Sequence, residues 1–216
     1  MPAVACRWGA PPPGVEEEVT IDISTNIDDY FAGLVKSAFE KRNAEATPAA
    51  EQYLAGLLSD YAREAAPLKR TLESPLTFQL HEALQTAGAE RFDRLRTIGD
   101  AVLYVLGFFR EGLSRRGADP EYVMRVGASA YGHASAMLKM GGGAGEDVLD
   151  ELARKFSTFV EVVAVTADGL LARRGDGQAL VRLYERWQSS GSSDARSMLR
   201  ELGFPVAAFD DPRTHN

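Results

Sequence analysis

Two acidic side chains, Asp100 and Glu161, interrupt otherwise apolar stretches that have helical periodicity. An unpaired buried carboxylate is costly, so each needs a partner if it faces the interior. The candidate partners are Arg125, Lys139 and the hydroxyls of Tyr104 and Tyr131. A pair of buried acids could act as general acid and base. The alternative is that each lies on the polar side of its helix or forms a structural ion pair.

His133 is the second candidate, because it lies in a segment rich in glycine, alanine and serine, from Gly127 to Ala136. Small side chains let two helices approach closely, and they could also leave room for a ligand. A flat apolar ligand such as haem could contact nearby aromatic residues: Tyr104, Phe108, Phe109, Tyr122 and Tyr131. The alternative is a histidine packed between helices or exposed to solvent, and nothing in the sequence requires a cofactor.

Metal signatures are missing from the sequence. A di-iron site in a helical bundle needs Glu-x-x-His pairs, but the residues three positions before His81 and His133 are Phe78 and Ala130. One cysteine and three scattered histidines provide no zinc spacing. We therefore predict neither a metal nor a cofactor.

Composition limits the partners. The 216 residues include 24 basic and 31 acidic side chains, for a net charge of −7, which argues against nucleic acid and anionic lipid as partners. The longest apolar run, 101–109, is about half of a membrane span, so no membrane partner is expected. The single Cys6 rules out an intramolecular disulfide, and a reducing, cytoplasmic location is the natural interpretation.

The elements that position these residues are predicted to be helices, because apolar side chains recur every third or fourth position between start and stop residues. Asn26 is the expected cap of the first helix, and Thr47-Pro48 and Ser74-Pro75 should open the next two. The further predicted helices are 90–116, 120–140, 146–174, 178–187 and one from 194 that Gly203 closes.

No complementary strands and no internal repeat accompany this pattern. We predict an all-α, antiparallel bundle of about seven helices in one domain, 19–209, with segments 90–116, 120–140 and 146–174 at its centre. A disordered tail, 1–18, should precede it, and a frayed tail, 210–216, should follow. Residues 19–23 alternate apolar and polar side chains and should form a short extended arm.

Three functional hypotheses follow. The leading one is a non-enzymatic scaffold, adaptor or regulator that contacts another protein or itself, with Val19, Ile21 and Ile23 at a homodimer interface. The second is a small-molecule or haem-type sensor or carrier, with a pocket near His133 between segments 90–116 and 120–140. The third is an enzyme that uses Asp100, Glu161 or His133.

Overall fold

A computed structural model describes residues 23–64, 74–115, 117–140 and 147–204. Within these residues there are nine α-helices and no strand, which confirms the predicted all-α bundle with a slightly larger helix number. The helices are α1 Ile23–Arg42, α2 Pro48–Arg63, α3 Leu76–Gln85, α4 Gly88–Arg115, α5 Pro120–Met140, α6 Val148–Arg154, α7 Phe156–Arg174, α8 Gly177–Ser190 and α9 Ser193–Glu201.

Several predicted helix starts are confirmed. The Thr47 hydroxyl accepts a hydrogen bond from the Ala50 amide and caps α2, and Pro48 is the first residue of that helix. Asp147 caps α6 by accepting from two backbone amides. Two predicted starts are wrong. Helix α1 begins at Ile23, before the expected cap Asn26, and α3 has Pro75 rather than Ser74 at its cap position, without a side-chain hydrogen bond.

The single helix predicted for 146–174 is also wrong, because the chain bends at Lys155, whose φ of −105° and ψ of 25° are not helical. At the bend, the Lys155 amine donates to the Glu45 carbonyl at 2.9 Å and to Glu151 at 2.9 Å. The change of direction lets α6 pack against α5 and α2, while α7 packs against α4 and α1.

The main apolar core lies where the sequence predicts it, between α4, α5, α6 and α7, and the N-terminal pair α1 and α2 packs against this group. Three glycines set the spacing, and a Cβ on Gly107 of α4 would overlap the Val163 side chain of α7. A Cβ on Gly99 would lie 2.5 Å from the Tyr131 ring, and one on Gly127 would lie 2.5 Å from Phe156. These glycines of α4 and α5 therefore allow close helix packing.

A second apolar cluster lies at the C-terminal end, between α8 and α9, on the last turns of α7. Its buried members are Leu183, Trp187, Ala195, Met198 and Leu199. None of the described helices is both long enough and apolar enough to cross a bilayer.

Candidate functional site

Asp100 faces the interior of the bundle and has two tyrosine partners. The Tyr53 hydroxyl donates to Asp100 Oδ1 at 2.6 Å, and the Tyr131 hydroxyl donates to the same oxygen at 2.7 Å. Tyr131 is one of the two sequence-predicted tyrosine partners, whereas Tyr104 is not bonded to this carboxylate. The three side chains come from α4, α2 and α5, so they form a polar link between helices of the main core.

Burial is the largest influence on ionisation at this cluster. It raises the pKa of Asp100, although the hydrogen bonds from Tyr53 and Tyr131 and the positive charge of Arg96 act in the opposite direction. Burial, together with the nearby carboxylate, also raises the pKa of the Tyr53 and Tyr131 hydroxyls. Both tyrosines therefore remain protonated donors at neutral pH.

Glu161 does not face the interior. Its side chain is 56% exposed, and Oε2 lies 4.0 Å from Arg42 Nε in a surface ion pair. The helical period of α7 turns this position outward, although its sequence neighbours are apolar. Asp100 and Glu161 are therefore not brought together, and the predicted pair of buried acids is not formed.

His133 lies on the exposed side of α5. The side chains on the inner side of that helix, Ala130, Tyr131 and Ala134, are fully buried. Among the described residues, none of the three best-formed pockets is lined by His133. Of the predicted interface residues, Val19 and Ile21 lie outside the described residues, and Ile23 is the first residue of α1 rather than part of an extended arm.

A large cleft lies elsewhere, between α1, the end of α2, the second half of α4, the end of α7, and α8. Its volume is about 910 Å³. Among the ligand-binding residues predicted from the sequence, Tyr104 and Phe108 line this cleft, whereas His133 and Tyr131 do not. The aromatic wall of the cleft consists of Tyr30, Phe31, Tyr104, Phe108 and Phe109.

A bend in α4 shapes this aromatic wall. Phe109 has a φ of −135° and a ψ of 25°, which are not helical, and its side chain is 48% exposed. Before the bend, the rings of Tyr104 and Phe108 are stacked with their centroids 4.4 Å apart. Tyr104 also contacts Tyr61 of α2. Tyr104, Phe108 and Phe109, at and before the bend, all line the cleft.

Arg186 of α8 holds the bend in place. Its Nη1 donates to the Phe108 carbonyl at 3.1 Å, and its Nη2 donates to the Gly107 carbonyl at 3.0 Å. Its Nε lies 2.6 Å from Asp168 Oδ1 of α7, and both side chains are buried. A break in a helix weakens its internal hydrogen bonds, so an arginine that binds the carbonyls before the break compensates for part of that loss.

Charged side chains form the rim of the cleft: Arg173, Arg174, Arg182 and Glu185. The Arg174 guanidinium binds Asp176 at 2.9 Å, and the Arg173 guanidinium lies 5.4 Å from the centre of the Tyr30 ring. Arg182 is exposed, and no described carboxylate lies within ion-pair distance of it. The rim therefore has an excess of arginine in a chain whose net charge is negative.

Sequence reasoning missed Tyr53, Arg186 and Asp168. The carboxylate of Asp168 follows an apolar run in α7, and an arginine in the amphipathic helix α8 was available as its partner. This combination of an acid and an arginine is the sequence signal for the Asp168–Arg186 ion pair. Tyr53 was harder to assign, because 47 positions separate it from Asp100 along the chain.

No group of three or more histidine, cysteine, aspartate or glutamate side chains in the described part of the chain is arranged to hold a metal ion. No protein-family model, curated protein or solved structure matches the sequence or the fold. The geometry of the cleft is therefore the basis for a functional assignment.

Proposed function

We propose that the protein is a non-enzymatic binding protein, a sensor or carrier, that holds a small organic molecule with an apolar body in the cleft. The observation that carries the proposal is the combination of a volume of about 910 Å³ with an aromatic wall. Ligand pockets in proteins usually have volumes of roughly 300–1,000 Å³ and are lined mainly by apolar and aromatic side chains with a few polar groups. The cleft fits this description.

The same geometry weakens the enzymatic hypothesis. Asp100 is bound to two tyrosines inside the bundle, Glu161 is in a surface ion pair, and His133 is exposed on α5. None of the three lines the cleft. The concave shape favours a small molecule over a protein surface, since protein interfaces bury about 800 Å² on each partner and are mostly broad. Contact through the N-terminal arm stays a separate prediction.

Binding of N-phenyl-1-naphthylamine, a neutral aromatic probe that fluoresces in apolar sites, tests the proposal. Gly112 lines the cleft inside α4, and a Cβ there would meet nothing within 4 Å. Gly112→Leu should therefore fill part of the cleft without a clash in the protein. We expect this variant to bind the probe at least about tenfold more weakly, equivalent to 1.4 kcal/mol.

Gly33→Leu is the matched control, because Gly33 is an exposed glycine inside α1 that also has open space at its Cβ and does not line the cleft. Both substitutions replace a helical glycine and should maintain or raise thermal stability. Native mass spectrometry of the gently purified protein adds a second measurement, in which a bound small molecule should be lost in Gly112→Leu alone. Equal probe binding by the wild type and Gly112→Leu would overturn the proposal, as would a wild type that binds neither this probe nor anilinonaphthalene sulfonate.

A further inference from the structure

We infer that the ligand of the cleft is an amphiphilic organic anion, whose acidic group binds Arg182 and Arg173 while its apolar body lies on the aromatic wall. This inference rests on the proposed function and specifies the chemical class of the ligand. It starts from a contrast in charge: the chain has a net charge of −7, yet four arginines and one glutamate line the cleft.

Two of the four arginines are neutralised locally. Arg186 pairs with the buried Asp168, and Arg174 pairs with Asp176 beside the end of α7. The cationic groups that remain for a ligand are Arg173, whose guanidinium stacks on Tyr30, and the exposed Arg182. A guanidinium binds a carboxylate, sulfonate or phosphate through two parallel hydrogen bonds, so these residues suit an anionic group.

The end of α7 beside the cleft does not itself attract an anion. Helix α7 ends at Arg174, with Gly175 in the left-handed conformation as its cap, and the carbonyl end of a helix carries partial negative charge. The backbone there does not favour an anion, so side chains must provide the attraction. Glu185, one turn after Arg182 on α8, should keep the acidic group on the Arg182 side of the rim.

The aromatic wall supplies the second half of the recognition. The stacked pair Tyr104 and Phe108 and the half-exposed Phe109 offer apolar surface beside the charged rim. A molecule with an apolar body and one acidic group would satisfy both parts of the cleft. A neutral apolar molecule would leave the Arg182 charge without a counterpart, and a small inorganic anion would leave the aromatic wall uncovered.

Two fluorescent probes with the same body separate these contributions. Anilinonaphthalene sulfonate and N-phenyl-1-naphthylamine share the aromatic framework, and only the first bears a sulfonate. We expect the wild type to bind the sulfonate probe more tightly. Because Arg182 is exposed, Arg182→Gln should weaken sulfonate binding by about three- to fivefold and change binding of the neutral probe by less than about twofold. Arg182→Lys should retain part of the preference.

Arg196→Gln is the matched control, since Arg196 is an exposed arginine on α9 outside the cleft and the substitution changes the net charge equally. It should bind both probes like the wild type. Raising the salt concentration should weaken binding of the sulfonate probe more than that of the neutral one, because exposed charges are screened.

The outcomes distinguish the two proposals. If both probes bind equally and Gly112→Leu weakens both, the cleft binds small molecules but the inference about charge is wrong. If neither probe binds, both proposals fail. Flotation with phosphatidylglycerol vesicles is a further experiment. If the protein binds these vesicles through Arg182 but does not bind the free sulfonate probe, the inference is wrong and a role at a membrane surface replaces it.

Discussion

Arg186 Nε lies 2.6 Å from Asp168 Oδ1, and the same guanidinium hydrogen-bonds to the carbonyls of Gly107 and Phe108. One side chain of α8 thus joins a buried acid of α7 to the bend of α4. The bend positions the aromatic wall of the cleft. The shape of the cleft therefore depends on a contact between Arg186 and Phe108, which are 78 positions apart in the sequence.

Replacing Arg186 alone should destabilise the fold strongly. Arg186→Met leaves the Asp168 carboxylate, which is 2% exposed, without its cationic partner. Removing one member of a buried ion pair typically costs about 3–5 kcal/mol. Urea unfolding at pH 7 should show this loss. The double variant Arg186→Met with Asp168→Leu should recover part of it, and a double variant as unstable as the single one would contradict this explanation.

The cluster of Tyr53, Asp100 and Tyr131 should make stability depend on pH. The folded-state pKa of Asp100 is raised, so the folded protein binds its proton more tightly than the unfolded chain does. The stabilising contribution is complete below the ordinary pKa of about 4 and is lost as the pH rises through the folded-state value. Asp100→Asn removes this titration. The free energy of unfolding of the wild type, relative to Asp100→Asn, should therefore fall as the pH rises from 3 to 7.

The tyrosines of the same cluster give a second, alkaline prediction. The folded-state pKa of Tyr53 and Tyr131 is raised, so only the unfolded chain ionises these groups near pH 10. The wild type should lose stability as the pH rises above 10, and Tyr53→Phe should lose less. Denaturant unfolding at pH 8, 10 and 11 measures both slopes. If the free energy of unfolding falls equally with pH in the two proteins, burial does not protect the Tyr53 hydroxyl from ionisation.

Gly99 is predicted to be intolerant of even one added carbon. A Cβ there would lie 2.5 Å from the Tyr131 ring, which is itself fixed by Asp100. Gly99→Ala should cost roughly 1–3 kcal/mol, as overpacked cores do. Gly56→Ala is the control, since a Cβ at this helical position meets nothing within 4 Å, and it should stabilise the protein by up to about 1 kcal/mol. Thermal unfolding of both variants tests the difference.

Glu151 should contribute stability that is lost in acid. Burial alone would raise its pKa, but hydrogen bonds from Thr47 and Lys155 outweigh burial and hold the pKa below the ordinary value. A lowered folded-state pKa stabilises the protein above about pH 4.5, and the contribution disappears as the pH falls through the folded-state value. The stability difference between the wild type and Glu151→Gln should therefore shrink between pH 6 and pH 3. A constant difference would count against it.

The helices could be predicted because their signals are local. Thr47 and Asp147 each mark a helix start through their own neighbours, and the apolar periodicity of α4 and α5 identifies the centre of the bundle. The outward orientation of Glu161 was harder to predict, because α7 is apolar on several sides and its polar side is narrow. The bends at Lys155 and Phe109 could not be predicted, because neither residue is a proline or a glycine.

The candidate site could be predicted only in part. The sequence predicts Tyr104 and Phe108 beside a pocket at His133, whereas in the structure they line a cleft that His133 does not reach. The position of the cleft follows from the docking of α8 on α4 and α7, which depends on the Arg186 contacts. Such contacts between distant segments leave no periodic trace in the sequence.

The separate apolar cluster at the C-terminal end has a consequence for motion. Because Trp187 and Leu199 pack in a cluster separate from the main core, we expect α8 and α9 to open together, with loss of the Arg186 contacts, at a lower free energy than global unfolding. We expect their backbone amides to exchange hydrogen for deuterium as one cooperative unit, ahead of α4 and α5. Since α8 carries Arg182 and Arg186, each such opening would move one wall of the cleft away from the others and let a ligand enter or leave.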